Sequence, residues 1–326
     1  MEQHYTFGEN MAVIKQNPLR MIGEQIHAIM SVHPLSSAEQ KQLTEARVIE
    51  SYDGVPEIYQ EFFRSHRSGG QAFPYSVLTP TYETSGGRIT GKLICVIEHT
   101  LYVLEENETN VIKVCFPIDE INYVEVTHRP SDLSFKIDGV TNLGIPISSV
   151  FGCSNTTDSL FAPLFQRIRL RIDSLNEKAP SRHLERLDRW NDQQTKVMDM
   201  ARHCLLAGET VIFAILQPEI RGGIFSNPEC LTHTCILTDK ELVMIREDLS
   251  QGRKNPCNTI CNFIPLNKIE SLSMSRENGN LLMVSTRLSN SEMFKSLFDI
   301  SLENEVNQFL ARTQELMPKK RWYVRD

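Results

Sequence analysis

No apolar run in the 326-residue chain is much longer than Val211–Leu216, whereas a helix needs roughly 20 apolar residues to cross a bilayer. A membrane-spanning helix is therefore not expected. The stretch Met1–Asn10 carries Glu2 and Glu9 where a secretory leader needs a basic start and an apolar centre. The expected location is cytoplasmic, with peripheral membrane contact as the variant of it. Positive charge is also in short supply, since 34 Lys and Arg against 41 Asp and Glu leave a net −7. Such a chain has no overall field to draw in nucleic acid or anionic lipid, and nucleic acid is not an expected partner. With 40% hydrophobic and 23% charged residues, the composition excludes a disordered, collagen-like or disulfide-scaffold chain.

Catalytic signatures are equally scarce. Gly86-Gly87-Arg88-Ile89-Thr90-Gly91-Lys92 fills the first seven places of a phosphate-binding loop, but Leu93 stands where Ser or Thr must hold magnesium. A strand-like run, Leu93–Ile97, then follows where a helix N-terminus must meet the phosphates. A hairpin turn accounts for the segment. No G-x-S-x-G or H-E-x-x-H pattern occurs, and the nine histidines are scattered. His203 and Cys204 are adjacent, but neighbours in sequence point in different directions and do not make a dyad. No enzymatic activity and no cofactor is expected.

Eight cysteines are spread through apolar stretches of a long chain, a setting in which reduced thiols are the default. Cys230, His233, Cys235, Cys257 and Cys261 fall within 32 residues and are the candidate metal ligands. Their spacings, Cys230-x4-Cys235 and Cys257-x3-Cys261, are looser than the C-x2-C knuckle of zinc sites. Free thiols are the preferred reading, with a metal or thiol sensor as the distant alternative.

What the sequence does contain is a repeat. Leu101-Tyr102-Val103-Leu104, an acidic turn, then Pro117-Ile118-Asp119-Glu120-Ile121 and Leu133–Ile137 reappear in order as Leu242-Val243-Met244-Ile245, an acidic turn, Pro265-Leu266-Asn267-Lys268-Ile269 and Leu281–Ser285. The offset is 141 residues at the first block and 148 at the next two, and Leu78-Thr79-Pro80 matches Leu216-Gln217-Pro218 at 138. Each copy reads as short strands, with Val, Ile, Leu, Tyr and Phe in runs bounded by Gly, Pro, Asn and Asp. Each then closes with an amphipathic helix. Leu160, Phe161, Leu164, Phe165, Ile168 and Ile172 recur at helical steps in the first, as do Leu302, Val306, Phe309 and Leu310 in the second. The spans expected are 159–176 and 302–317, with Pro117 and Pro265 at equivalent strand starts. Arg167, Arg169 and Arg171 are expected on the solvent face of the first helix.

Six or seven strands and one helix in about 110 residues describe a mainly β fold with some α: two half-open antiparallel barrels or sandwiches, each capped by its C-terminal helix. The chain here resembles the bacterial pleckstrin-homology-like modules, cousins of the GRAM domain. The residues that carry the resemblance are Thr238-Asp239-Lys240-Glu241-Leu242, degraded to His99-Thr100-Leu101 in the first copy, and Ile264-Pro265-Leu266-Asn267-Lys268-Ile269, matched by Phe116–Ile121. The expected organisation is a helical N-terminal segment over 1–70, module 1 over 71–178, a linker helix over 179–203, module 2 over 204–318 and a basic aromatic tail over 319–326. Within 1–70, helices are expected around Leu19–Ile29, after a Ser37-x-x-Gln40 capping box, and after Pro56 with Ile58, Tyr59, Phe62 and Phe63.

Relatives of this kind that bind inositol phosphates carry several cations in the first hairpin loop. Here the matching loops offer Arg88 with Lys92, and Arg221, and each module is net −4. The tail Lys319-Lys320-Arg321-Trp322 is the remaining cationic patch. These residues are the candidate lipid contacts, and weak ones. The leading expectation is a non-catalytic interaction or scaffold protein that binds a protein or peptide at its edge strands or in a strand–helix cleft. Homo-oligomerisation is compatible with it, and peripheral binding to anionic lipid is the alternative.

Overall fold

The computed structural model describes residues 45–66, 72–84, 87–107, 110–130, 132–171, 187, 196–206, 209–221, 228–248, 258–277 and 280–318. All belong to one compact unit, Thr44–Asp326. The helices expected around Leu19–Ile29 and after Ser37, and the tail from Lys319, lie outside the described residues.

The chain enters as strand β1 (Arg47–Ile49), which pairs antiparallel with β2 (Ser76–Leu78). Residues 45–66 are thus part of the β unit and not a separate helical appendage. Helix α1 (Glu57–Ser65) follows Pro56 as expected, with Glu57 in its first turn and Arg64 in its last, the polarity the helix dipole favours. Tyr59 and Phe63, four residues apart, are its buried face.

From α1 onward the same order of elements occurs twice. The first copy runs through β2, a two-stranded ribbon of β3 (Tyr82–Thr84) and β4 (Gly87–Ile89), then β5 (Lys92–Ile97), β6 (Thr100–Asn107) and β7 (Asn110–Pro117). A 3-10 turn leads to β8 (Ile121–His128), β9 (Asp132–Val140), β10 (Pro146–Ser154) and helix α2 (Ala162–Leu170). Helix α3 (Lys196–Cys204) opens the second, followed by β11 (Val211–Gln217), a ribbon of β12 (Ile220–Arg221) and β13 (Pro228–Cys230), β14 (His233–Thr238), β15 (Glu241–Asp248) and β16 (Asn258–Pro265). It ends with a 3-10 turn, β17 (Ile269–Arg276), β18 (Leu281–Leu288), β19 (Met293–Asp299) and helix α4 (Glu303–Leu316). Pro117 and Pro265 hold equivalent places, but at strand ends, where each caps a 3-10 turn. Their fixed φ suits that corner.

The principal sheets are antiparallel and none closes on itself. They are ordered β1-β2-β5-β6-β7, β10-β9-β8-β16-β15-β14-β11 and β17-β18-β19. The would-be phosphate loop links the β3–β4 ribbon to β5, since β4 pairs with β3 and not with β5. Gly91 is required there, because a Cβ would come within 2.7 Å of the Thr79 carbonyl oxygen. No helix among the described residues is long and apolar enough to cross a membrane.

Helix α2 is shorter than its sequence pattern implies. A 3-10 run over 155–161, capped by Ser154 accepting from the Thr156 amide, takes its first turns. Arg171, in the left-handed region at φ 55°, ends it. Phe161, Leu164 and Ile168 enter a core with Phe135 and Phe151. Helix α4 buries Val306, Phe309 and Thr313 against a core of the second copy with Phe294 and Phe298, which Tyr123 of β8 also enters.

The seven-stranded sheet is shared between the copies. Strand β8 of the first pairs with β16 of the second, in the register Val124↔Phe263, Val126↔Cys261 and His128↔Thr259. The core beneath is continuous. It holds Val124, Val126, Phe135 and Ile168 together with Val197, Ala201, Ile245, Cys261 and Phe263.

Candidate functional site

The joint between the copies is locked by one buried cation. The Arg169 Nε donates to Glu241 Oε1 at 2.9 Å, a terminal nitrogen bonds the same oxygen, and Nη1 donates to the Cys204 carbonyl at 2.8 Å. Its guanidinium lies over the Phe263 ring, 3.8 Å from the centroid. Glu209 Oε2 is 3.5 Å away and accepts from the Leu206 amide at 2.8 Å. Burial, reinforced by the neighbouring Glu241 carboxylate, pushes the Glu209 carboxyl up to about 8. Arg169 is therefore not a solvent-face residue. Arg167 and Arg171 are half-buried and fit the expectation in part, Arg167 reaching the Val96 carbonyl at 3.4 Å and Arg171, from beyond the helix end, Asp119 at 3.1 Å.

Beside this lock is a cavity of about 240 Å³ lined by Val126, His128, Phe135, Phe165, Cys204 and Phe263, among others. Cys204, in its wall, has its sulfur 3.5 Å from that of Cys261. Strand β8 and helix α2 thus close off most of the edge of β16.

The corresponding edge of the first copy is open. Among the described residues no strand pairs with the outer side of β7. Val111, Val114 and Cys115 are half-buried, Lys113 is exposed and Ile112 is 46% exposed. Helix α1 stands over this edge, leaving a groove of about 460 Å³ lined by Ile58, Glu61, Phe62, Leu104, Val111 and Lys113, among others. The helix is pinned there by rings. Phe62 meets Tyr102 of β6 at 5.0 Å, His66 at 4.4 Å and Phe63 at 5.1 Å between centroids, and such pairs add roughly 0.5–1.5 kcal/mol beyond area burial. Burial with nearby Glu106 lifts the Tyr59 hydroxyl to about 12. The groove has an apolar floor, a charged rim and a row of outward backbone N–H and C=O groups.

The residues singled out in the sequence fare unevenly. Lys92 is buried and paired with Glu105 Oε2 at 3.0 Å, which removes it from any headgroup site. Arg88 falls in β4 and Arg221 ends β12, but their side chains lie outside what the structure describes, as do Lys319, Lys320, Arg321, Trp322 and Cys257 altogether. Cys230 and His233 do meet, Sγ to Nδ1 at 3.6 Å. Burial pushes the Cys230 thiol up to about 11 and holds the imidazole below its ordinary value, so this pair is a neutral thiol and a neutral ring. Cys235 lies beside Ser296 and Cys261 faces Cys204. The described residues contain no group of three or more His, Cys, Asp or Glu placed to hold a metal ion. Cys95 and Cys153 are each raised to about 12 by burial, which leaves no thiolate at neutral pH.

Sequence reasoning missed Arg169, Glu209 and the groove. Of the groove residues, Ile58 and Phe62 were marked as a helix face and Leu104 as part of the repeat. No protein-family model and no curated protein matches the chain.

Proposed function

We propose that this chain is a non-catalytic interaction protein, two pleckstrin-homology-like modules in tandem that hold an extended segment of a protein partner along β7. The observation that carries the reading is the open edge of β7 beneath α1. An extended peptide added to that edge would satisfy its outward N–H and C=O groups, and alternate side chains would enter the groove. Main-chain pairing supplies affinity, and the pockets select sequence. The apolar floor of Ile58, Phe62 and Leu104 favours alternating apolar residues, and Lys113 at the rim favours an acidic one. The buried, protonated thiols and the loss of Lys92 to Glu105 support this reading over a thiol sensor or a headgroup site.

Selection of displayed random peptides on the whole chain tests it. Enriched peptides should be extended and alternating, and Val111→Lys or Ile58→Lys should weaken their binding by at least about tenfold. Binders indifferent to both substitutions, but lost with Arg88→Ala, would move the site to the ribbon loops and overturn the reading.

A further inference from the structure

The partner of the β7 edge is specified by the repeat. Helix α1 and helix α3 correspond at an offset of 139 residues, and β7 and β16 at 148. The groove residues Ile58, Phe62, Leu104 and Lys113 therefore correspond to Val197, Ala201, Ile245 and Cys261. Those four are completely buried, whereas Ile58 and Phe62 are half-buried and Lys113 is exposed; Leu104, the floor, is buried in both copies. At the three positions that differ, the preceding copy supplies the cover, its Val126, Phe135 and Ile168 sharing their core. The groove on the first copy is the same socket with nothing described in it.

The complementary plug is also duplicated. Strand β8 fits the internal socket, and its counterpart at an offset of 148 is β17. Val124 and Val126 are buried because β16 covers them, whereas the matching Leu272 and Met274 are only half-buried and Ser273, Ser275 and Arg276 are exposed. Among the described residues β17 pairs only with β18. One chain therefore carries both halves of a joint that it already makes once internally.

We infer that a second copy of this chain docks by its β17 edge onto β7 and the α1 groove, extending the tandem head to tail. This names the partner within the interaction reading above and rests on it. Carrying the internal register across gives Cys115↔Leu272, Lys113↔Met274 and Val111↔Arg276. The contact is heterologous, so each chain added to an open assembly leaves one β7 and one β17 edge free, and assembly runs beyond a dimer. It is also weaker than the internal joint. Thr100 occupies the place of Glu241, so the buried Arg169–Glu241 pair has no counterpart, and Lys113 projects where Cys261 is buried. An inward-pointing lysine at an edge is a common brake on strand addition.

Sedimentation velocity on the full chain over a concentration series tests the inference. Mass should rise with concentration up to about 100 µM, the range open to a reversible joint. Met274→Lys sets lysine against Lys113 and should weaken association by about tenfold, like charges opposite one another being unfavourable. Lys113→Glu added to Met274→Lys should restore it. Lys113 is exposed and Met274 half-buried, so unchanged thermal unfolding of each variant shows that the fold is kept. A wild-type chain monomeric throughout the series overturns the inference, as does assembly that ignores Met274→Lys. Assembly abolished by removing residues 1–44, but not by Met274→Lys, overturns it too and assigns the interface to that segment. If peptides select the Ile58–Val111 groove while the chain stays monomeric, the groove reading stands and the self-partner falls.

Discussion

At the scale of single residues, the joint turns on groups whose type alone said little. Three arginines alternate at 167, 169 and 171, a pattern that ordinarily covers a solvent face. Nothing local distinguishes Arg169, because its carboxylate partners lie 72 and 40 residues away. Lys92 was misread for the same reason, since Glu105 reaches it only across the β5–β6 pair. The buried arrangement has a measurable consequence at Glu209. Its carboxyl pKa is raised on folding, to about 8 from an ordinary value of 4.5. Between those limits the folded chain holds a proton that the unfolded chain has lost, so this group's contribution to stability falls as pH rises and levels off above about 8. Glu209→Gln keeps the neutral shape and has no proton to lose. Chemical denaturation should find the variant close to wild type at pH 5 and more stable above pH 8, by an amount on the order of a few kcal/mol. Parallel pH profiles for the two proteins would show that Glu209 ionises freely in the folded chain.

Elements were more legible than residues. Runs of Val, Ile, Leu and Phe between turn residues located the strands. The Thr238–Leu242 motif is a two-residue hairpin, in which the Thr238 hydroxyl accepts from the Lys240 and Glu241 amides and donates to the Glu241 carbonyl. Helix α1 was legible from Pro56 and the Tyr59–Phe63 spacing. Strand β1 was not, because three residues, Arg47–Ile49, are too few to show an alternation. The pairing of β8 with β16 was also hidden. Each strand has an apolar face, Val124 and Val126 in β8 and Cys261 and Phe263 in β16, and an apolar face records that it is covered but not by what. The element that reveals the cover is the repeat itself, since equivalent strands differ in burial only where the joint is made. This predicts an asymmetry between matched positions. Phe263→Ala in β16 should cost about 3–5 kcal/mol in urea unfolding, because the ring closes the joint beneath Arg169. Its counterpart on the open edge, Cys115→Ala, should cost less than about 1 kcal/mol. Equal losses would mean that β7 is as covered as β16.

At the scale of the molecule, the repeat and the mainly β class were visible in the sequence because they depend on patterns a chain carries locally. The partner surface was not, because it is defined by what is missing beside β7. An edge with exposed backbone groups and apolar side chains is a liability unless something covers it, and Ile112 and Lys113 at this edge are one apolar and one charged. The tandem resolves the same liability internally by placing β8 on β16. The account's central claim is that β7 is open in the isolated chain and closed by a partner. Amide hydrogen exchange measures this strand by strand. In dilute solution the Asn258–Pro265 segment should be protected throughout, while the outward-facing amides of Asn110–Phe116 exchange rapidly. Raising the chain concentration, or adding a peptide selected on the groove, should protect those same amides. Equal protection of the two segments in the dilute chain, with no change on adding chain or peptide, would contradict the claim.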